Sequence, residues 1–323
     1  MRTEKILMMA AAMAVSLGMI GAEGAWGQNA SKNPCSLAMV SHEAVADGKV
    51  CDLATVQRLA RDGHAFEQNQ LGIASILAIG PGMSDKEALT WFQRAAQRGY
   101  APAQVNLAVM YINGWGTQVN YAAALHWLQT AADQHFGRAY YNLGILYLEG
   151  KGVGQSNDEA VRWFQKGAEA GDSSAQTNLG YMYDMGLGCT RNLTTSVQWY
   201  RKAAEAGNPL GENNLADLYL RGQGVKQDDF EAFAWFQKAA EQGHTGARIK
   251  LGYLLANGRG TARNPAAAFA WVKAAQMAGD PRGSDMLRTL EKSLSQEQVA
   301  SATEQATRLQ QPASLLAARS FVP

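Results

Sequence analysis

The chain repeats itself every 36 residues, with no insertion or deletion from residue 65 to residue 280. A leucine recurs at Leu71, Leu107, Leu143, Leu179, Leu215 and Leu251, and a degenerate seventh copy supplies Leu287. A tryptophan recurs at Trp91, Trp127, Trp163, Trp199, Trp235 and Trp271. Between them stand glycine pairs: Gly114 with Gly116, Gly150 with Gly152, Gly186 with Gly188, Gly222 with Gly224, and Gly258 with Gly260. At such a period each copy is one small unit that cannot bury its own apolar faces, so the copies must stack.

Each copy reads as two helices. In AYYNLGILYLEG, residues 139–150, the side chains of Ala139, Leu143, Leu146 and Tyr147 fall three or four apart and share one stripe. Gly150 and Gly152 end that helix, because glycine enters left-handed backbone without steric cost. SNDEAVRWFQKGAEAG, residues 156–171, opens on the candidate caps Ser156, Asn157 and Asp158, with Glu159 in the first turn. Ala160, Trp163, Phe164 and Ala168 form its buried stripe, with the tryptophan row read as core, and Gly171 stops it. The expected fold is all-α, an α-solenoid of stacked antiparallel helix pairs. Residues 52–64 match only the second helix of a unit and form an N-terminal capping half-repeat. Six repeats fill 65–280. Residues 281–310 supply C-terminal capping helices, with Ser295-x-x-Gln298 as a capping box, and 311–323 form a tail.

The N-terminus is of another kind. Arg2 and Lys5 precede an apolar run from Ile6 to Ile20, followed by the small residues of Ala25-Trp26-Gly27. This pattern predicts a signal peptide over residues 1–27, since the run is short for a membrane span. Export follows, to a periplasmic or extracellular location, with no stable membrane insertion after cleavage. Export also gives meaning to the cysteines in and beyond the segment 28–51. A Cys35–Cys51 disulfide would staple the end of the array, worth about 3 kcal/mol by the chain-entropy model. Pairing with Cys189, or two free thiols, are the alternatives. The formal net charge of +1 argues against nucleic acid as a partner.

Residues that carry chemistry are sparse. None of His42, His64, His126, His135 and His244 has the i,i+4 partner of a helical metal site, so no metal is expected. His64 and His244 fall at the turns between repeats and read as solvated, while His135 replaces the turn glycine. There is no G-x-S-x-G elbow, phosphate loop or dinucleotide fingerprint. No catalytic residue and no cofactor are assigned, and the chain reads as a non-enzyme.

The pattern A-x-x-N-L-G-x-x-Y…G-x-G…A-x-x-W-[FY]-x-x-[AG]-A-x-x-G resembles the Sel1-like repeat, a cousin of the tetratricopeptide repeat, over roughly residues 52–310. The resemblance implies a tetratricopeptide-like solenoid whose first helices line an inner face that binds protein or peptide. By register that face takes Val105, Val109 and Ile112, then Arg138, Tyr141, Ile145 and Leu148. It continues through Thr177, Tyr181 and Asp184, then Asn213, Asp217 and Leu220, then Ile249 and Tyr253. An asparagine row, Asn106, Asn142, Asn178 and Asn214, either holds a ligand's backbone or bonds the scaffold's own. Arg138-x-x-x-Asn142 followed by Asn178 resembles the start of a carboxylate clamp, left incomplete by Leu210 and Asn214. The expected peptide-binding set is thus Asn106, Arg138, Tyr141, Asn142, Ile145, Asn178, Tyr181 and Asn214. The functional expectation is an exported adaptor or assembly scaffold at the cell envelope. An envelope hydrolase or β-lactam-binding protein, and a peptidoglycan- or carbohydrate-binding module, are the alternatives.

Overall fold

The computed structural model describes residues 53–76 and 84–310. The expected signal peptide, the segment 28–51 with Cys35 and Cys51, and the tail 311–323 lie outside the described residues. Among the described residues are fifteen α-helices, one 3-10 turn and no strand. By packing, the described residues divide into two compact units, the first ending at Ala175 and the second beginning at Gln176.

The first unit holds α1 (Leu53–Arg61), α2 (Ala65–Ile76), α3 (Asp85–Gln97), α4 (Ala101–Asn113), α5 (Tyr121–Ala132), α6 (Gly137–Glu149) and α7 (Asn157–Glu169). Helix α8 (Ser173–Met185) begins at its end and continues into the second unit. There follow α9 (Leu193–Glu205), α10 (Pro209–Arg221), α11 (Asp229–Glu241), α12 (Thr245–Asn257), α13 (Pro265–Met277), a 3-10 turn (Pro281–Gly283), α14 (Ser284–Ser293) and α15 (Gln296–Arg308). Within each unit consecutive helices pack in pairs, α2 on α3, α4 on α5 and α6 on α7, then α10 on α11 and α12 on α13. Contacts of α3 with α4, α5 with α6, α9 with α10 and α11 with α12 join one pair to the next. This is the stacked α-solenoid that the period requires.

Inside a pair the helices meet over a bare backbone. A methyl group added at Gly144 would lie 2.5 Å from the Phe164 ring, and one at Gly180 would lie 2.7 Å from Tyr200. Phe92, Phe164, Tyr200 and Phe236 are all sealed from solvent. Each follows the repeat's tryptophan, which corrects the placement of the tryptophan row in the core. The indoles stand half-buried at its edge, because the close approach of the helices seals the residue after the tryptophan, an aromatic ring in four repeats and Leu128 or Val272 in the other two. A basic side chain three residues on covers the outer side: Arg94 lies 4.8 Å from the Trp91 ring, Lys166 4.5 Å from Trp163, Lys202 4.1 Å from Trp199 and Lys238 4.0 Å from Trp235.

The two glycines of each loop answer different demands. Gly114, Gly150, Gly222 and Gly258 cap the first helix with φ between 65° and 68°. The second glycine also has positive φ, and it sits on the start of the preceding repeat's second helix. A methyl at Gly224 would lie 2.5 Å from the Leu193 carbonyl oxygen; at Gly116 and Gly260 it would overlap the carbonyls of Asp85 and Asp229. Where the inter-repeat turn carries His135 in place of glycine, φ is 59°, alone among the described non-glycine residues.

A hydrogen bond closes the seam between one repeat and the next. Gln68 Nε2 donates to the Ala60 carbonyl at 2.9 Å, Gln104 Nε2 to Ala96 at 3.2 Å and the Tyr140 hydroxyl to Ala132 at 2.9 Å. These acceptors lie in the last turn of a helix, where carbonyls lack an intrahelical donor. In the second unit Arg248 makes the equivalent bond to Ala240 at 3.1 Å and also donates to Leu309 at 2.8 Å, tying down the end of α15. That helix packs on α13 and opens with the Ser295–Gln298 capping box.

The two kinds of glycine separate in a substitution experiment. Gly99 has φ 82° with open space around it, so Gly99→Ala is expected to cost about 1 kcal/mol of backbone strain. Gly260→Ala adds a backbone collision and is expected to cost about 3 kcal/mol or more. Urea denaturation measures both; equal losses would mean that the loop glycine serves only its backbone angle.

Candidate peptide-binding surface

The eight residues expected to bind peptide do not share one open face. Arg138, at the start of α6, makes a buried ion pair with Asp172 at 2.9 Å, donates to Ser174 Oγ at 3.1 Å and lies 5.2 Å from the Tyr141 ring. Its charge is spent on the turn into the next repeat, so the clamp arrangement is not assembled. Tyr141 is half-buried against Phe164, with ring centroids 6.2 Å apart, and burial raises its hydroxyl pKa. Ile145 is half-buried. Asn142 and Asn106 are buried; the first donates to the Arg138 carbonyl at 2.8 Å and the second to Asn69 Oδ1 of the preceding repeat at 2.9 Å. In the second unit Asn178 and Asn214 are half-buried, and Asn214 bonds Asn213 at 3.1 Å and the Tyr200 hydroxyl. Tyr181 is the one exposed member, at 44%.

The register of Val105 and Tyr141 fails as a surface for a packing reason. Val105 and Thr177 are each 2% exposed and Asn213 7%. Val105 belongs to the same buried cluster as Ala139, Tyr140 and Leu143 of the next first helix. Neighbouring first helices are too close there to leave a groove. The position four residues on is the open one. In the second unit it carries Tyr181, Asp217 and Tyr253, the two tyrosines 44% and 43% exposed. Lys250 of α12 forms an ion pair with Asp217 of α10, placing a charged bridge between successive helices on the same strip. Lys250 stands where four repeats have asparagine, and that break in the row was its signal in the sequence. Burial raises the nearby Asp184 carboxyl pKa, with Arg191 and Arg221 opposing.

The strip is a row of exposed tyrosines with a half-buried ion pair between them, and among the described residues no three His, Cys, Asp or Glu side chains are placed to hold a metal ion. The Sel1 repeat family model matches residues 68–100, 101–136, 137–172, 173–208, 209–244 and 246–280. The chain belongs to the Sel1-repeat family. Among solved structures, a protective antigen from uropathogenic Escherichia coli strains, described as displaying an SLR fold, is 33% identical over 81% of this Sel1-repeat chain, with a TM-score of 0.62. The match takes in 58% of that antigen's chain, so this protein spans less than two thirds of its length. A Sel1 repeat protein from Oxalobacter formigenes is 29% identical over 69% of this chain and 87% of its own, with a TM-score of 0.58. No curated protein sequence matches significantly. Among the described residues no helix is long and apolar enough to cross a membrane.

Burial shifts two further titratable groups of the second unit. His244 is no solvated turn residue: half-buried, it caps α12, its Nδ1 accepting from the Ala247 N–H at 3.0 Å. Burial lowers its pKa, helped by Lys250 and Arg282, which keeps the accepting nitrogen unprotonated. Glu212 occupies the seam position that Gln68 and Gln104 hold in the first unit, and it is 3% exposed. Desolvation pushes its carboxyl up to about 7, against the pull of Lys238 and the Gln242 amide. Its folded-state pKa lies above the unfolded one, so its contribution to stability is complete below the ordinary carboxylate range and is lost as pH rises through about 7. Glu212→Gln is therefore expected to stabilise the protein at about pH 8, with the gain fading by about pH 5. Urea midpoints at both values test this, and a gain independent of pH would assign the effect to something other than ionisation.

Proposed function

We propose that this Sel1-repeat protein is an exported scaffold that binds a protein or peptide along the first-helix strip of its second unit. The observation that carries the reading is the pair of exposed tyrosines, Tyr181 and Tyr253, at one register on either side of the Asp217–Lys250 ion pair. Tyrosine supplies broad contact area with a polar tip and few torsions to freeze. A charged pair between two aromatic anchors fixes the orientation of a polar chain laid across them. The strip stands on packed helices, so little ordering entropy is lost on this side of the interface. Export rests on Arg2, Lys5, the run from Ile6 to Ile20 and Ala25-Trp26-Gly27, and a relative described as a protective antigen fits it. A role as adaptor or assembly factor at the cell envelope follows, with the low net charge speaking against nucleic acid.

Photo-crosslinking residues placed at 181, 253 and, as an off-strip control, at the exposed Gln237 test the reading in the native host. A discrete protein adduct from 181 and 253 but not from 237 is expected. The Tyr181→Ala, Tyr253→Ala double variant should weaken the isolated partner's affinity by about ten-fold or more with helical circular dichroism unchanged. Adducts of equal strength from 237, or none at the two tyrosines, would place binding elsewhere.

A further inference from the structure

The repeat supplies its own control for a site in the first unit. At the Gln104 seam both ends of the amide are satisfied: Nε2 donates to Ala96, and Oε1 accepts from Gln134 Nε2 at 2.8 Å. In the second unit Gln242 closes the same register by donating to Glu212 at 2.7 Å. At the first seam the residue in register with Gln134 and Gln242 is Arg98. Its guanidinium lies instead over the turn, where a methyl added at Gly63 would come within 2.6 Å of Nη2. Gln68 keeps its bond to Ala60, but its Oε1 is left without a hydrogen-bond partner on a side chain only 3% exposed. Beside it opens a recess of about 440 Å³ lined by Gly63, Gln68, Arg61, Arg94 and Arg98. Among the described residues none of these three arginines makes a salt bridge; Arg94 rests on Trp91, and the nearby Asp62 is paired with Arg58. Glu67, next to Gln68 in sequence, is buried with its Oε2 also without a hydrogen-bond partner, and it does not line the recess.

Helix dipoles account for part of this charge, since Arg61 closes α1 and Arg98 caps α3. They do not account for an unsatisfied buried acceptor on a side chain that lines a basic hollow. An orphaned buried carbonyl oxygen is costly and calls for a donor. A guanidinium fork calls for a planar anion, taken in two parallel hydrogen bonds. We propose that the recess binds a carboxylate with an N–H beside it, the group that ends a peptide chain. The carboxylate meets the Arg61, Arg94 and Arg98 guanidiniums, and the adjacent N–H donates to Gln68 Oε1. The site lies in the first unit and is independent of the tyrosine strip.

Isothermal titration of the intact chain at low ionic strength, with N-acetyl-alanyl-alanine as the probe, tests the proposal. Its C-terminal amide and N-acetyl-alanyl-sarcosine, which lacks the last N–H, are each expected to bind roughly ten-fold or more weakly. Arg98→Gln restores the closure seen between Gln134 and Gln104, so it should abolish binding while leaving the thermal midpoint equal or higher. No binding of the acid, equal binding of acid and amide, or undiminished binding by Arg98→Gln would overturn the site. Equal binding of the sarcosine probe would overturn the role of Gln68.

Discussion

Backbone meets backbone where the loop of one repeat rests on the first residue of the preceding repeat's second helix. Gly116 on Asp85, Gly224 on Leu193 and Gly260 on Asp229 leave no room for a β-carbon. That contact fixes how far each repeat stands from the last, and it is indifferent to every other side chain in the copy. An inserted residue would lift the loop from its seat, which explains a period held without slippage from 65 to 280. The contact of a sealed side chain with a small residue opposite, such as Phe164 on Gly144, does the same for the hairpin.

Other positions then diverge without altering the stack. The seam bond is made by glutamine, tyrosine or arginine, because its only task is to bring a donor to a helix-end carbonyl. Residues at and around the seam bring other properties. Glu212 brings a carboxyl whose ionisation opposes burial, and Arg98 leaves an acceptor unsatisfied beside three guanidiniums. Arg138 departs in another way, spending its charge on Asp172. These variations fall at positions that neither the loop seat nor the sealed contact inside the hairpin constrains.

The helix ends were legible in the sequence because their causes are local. Ser156 accepts from the Glu159 N–H and Gly150 adopts the left-handed cap, as their residue types and positions imply. The burial of Trp163 was less legible: a period shows that a position recurs but not how deep it lies, and Phe164 beside it has the same period. Val105, Thr177 and Asn213 vary between copies, which resembles a free surface, yet their variation is repacking between adjacent first helices. The expected site shrank for the same reason. Tyr181 stayed open, Asn106 and Asn142 turned into the scaffold, and Lys250 entered through an ion pair joining residues of different repeats. Contacts across repeats need the register of three dimensions, which one copy of the motif does not contain.

The most direct test of this account is to excise one whole repeat, residues 101–136. If neighbouring repeats are joined only by interchangeable seats and seams, Gly152 then rests on Asp85 and the Tyr140 hydroxyl donates to Ala96. The shortened chain should show the same ellipticity per residue and a cooperative urea transition. Loss of helicity well beyond the deleted residues would contradict it, and would mean that each copy is fitted to one particular neighbour.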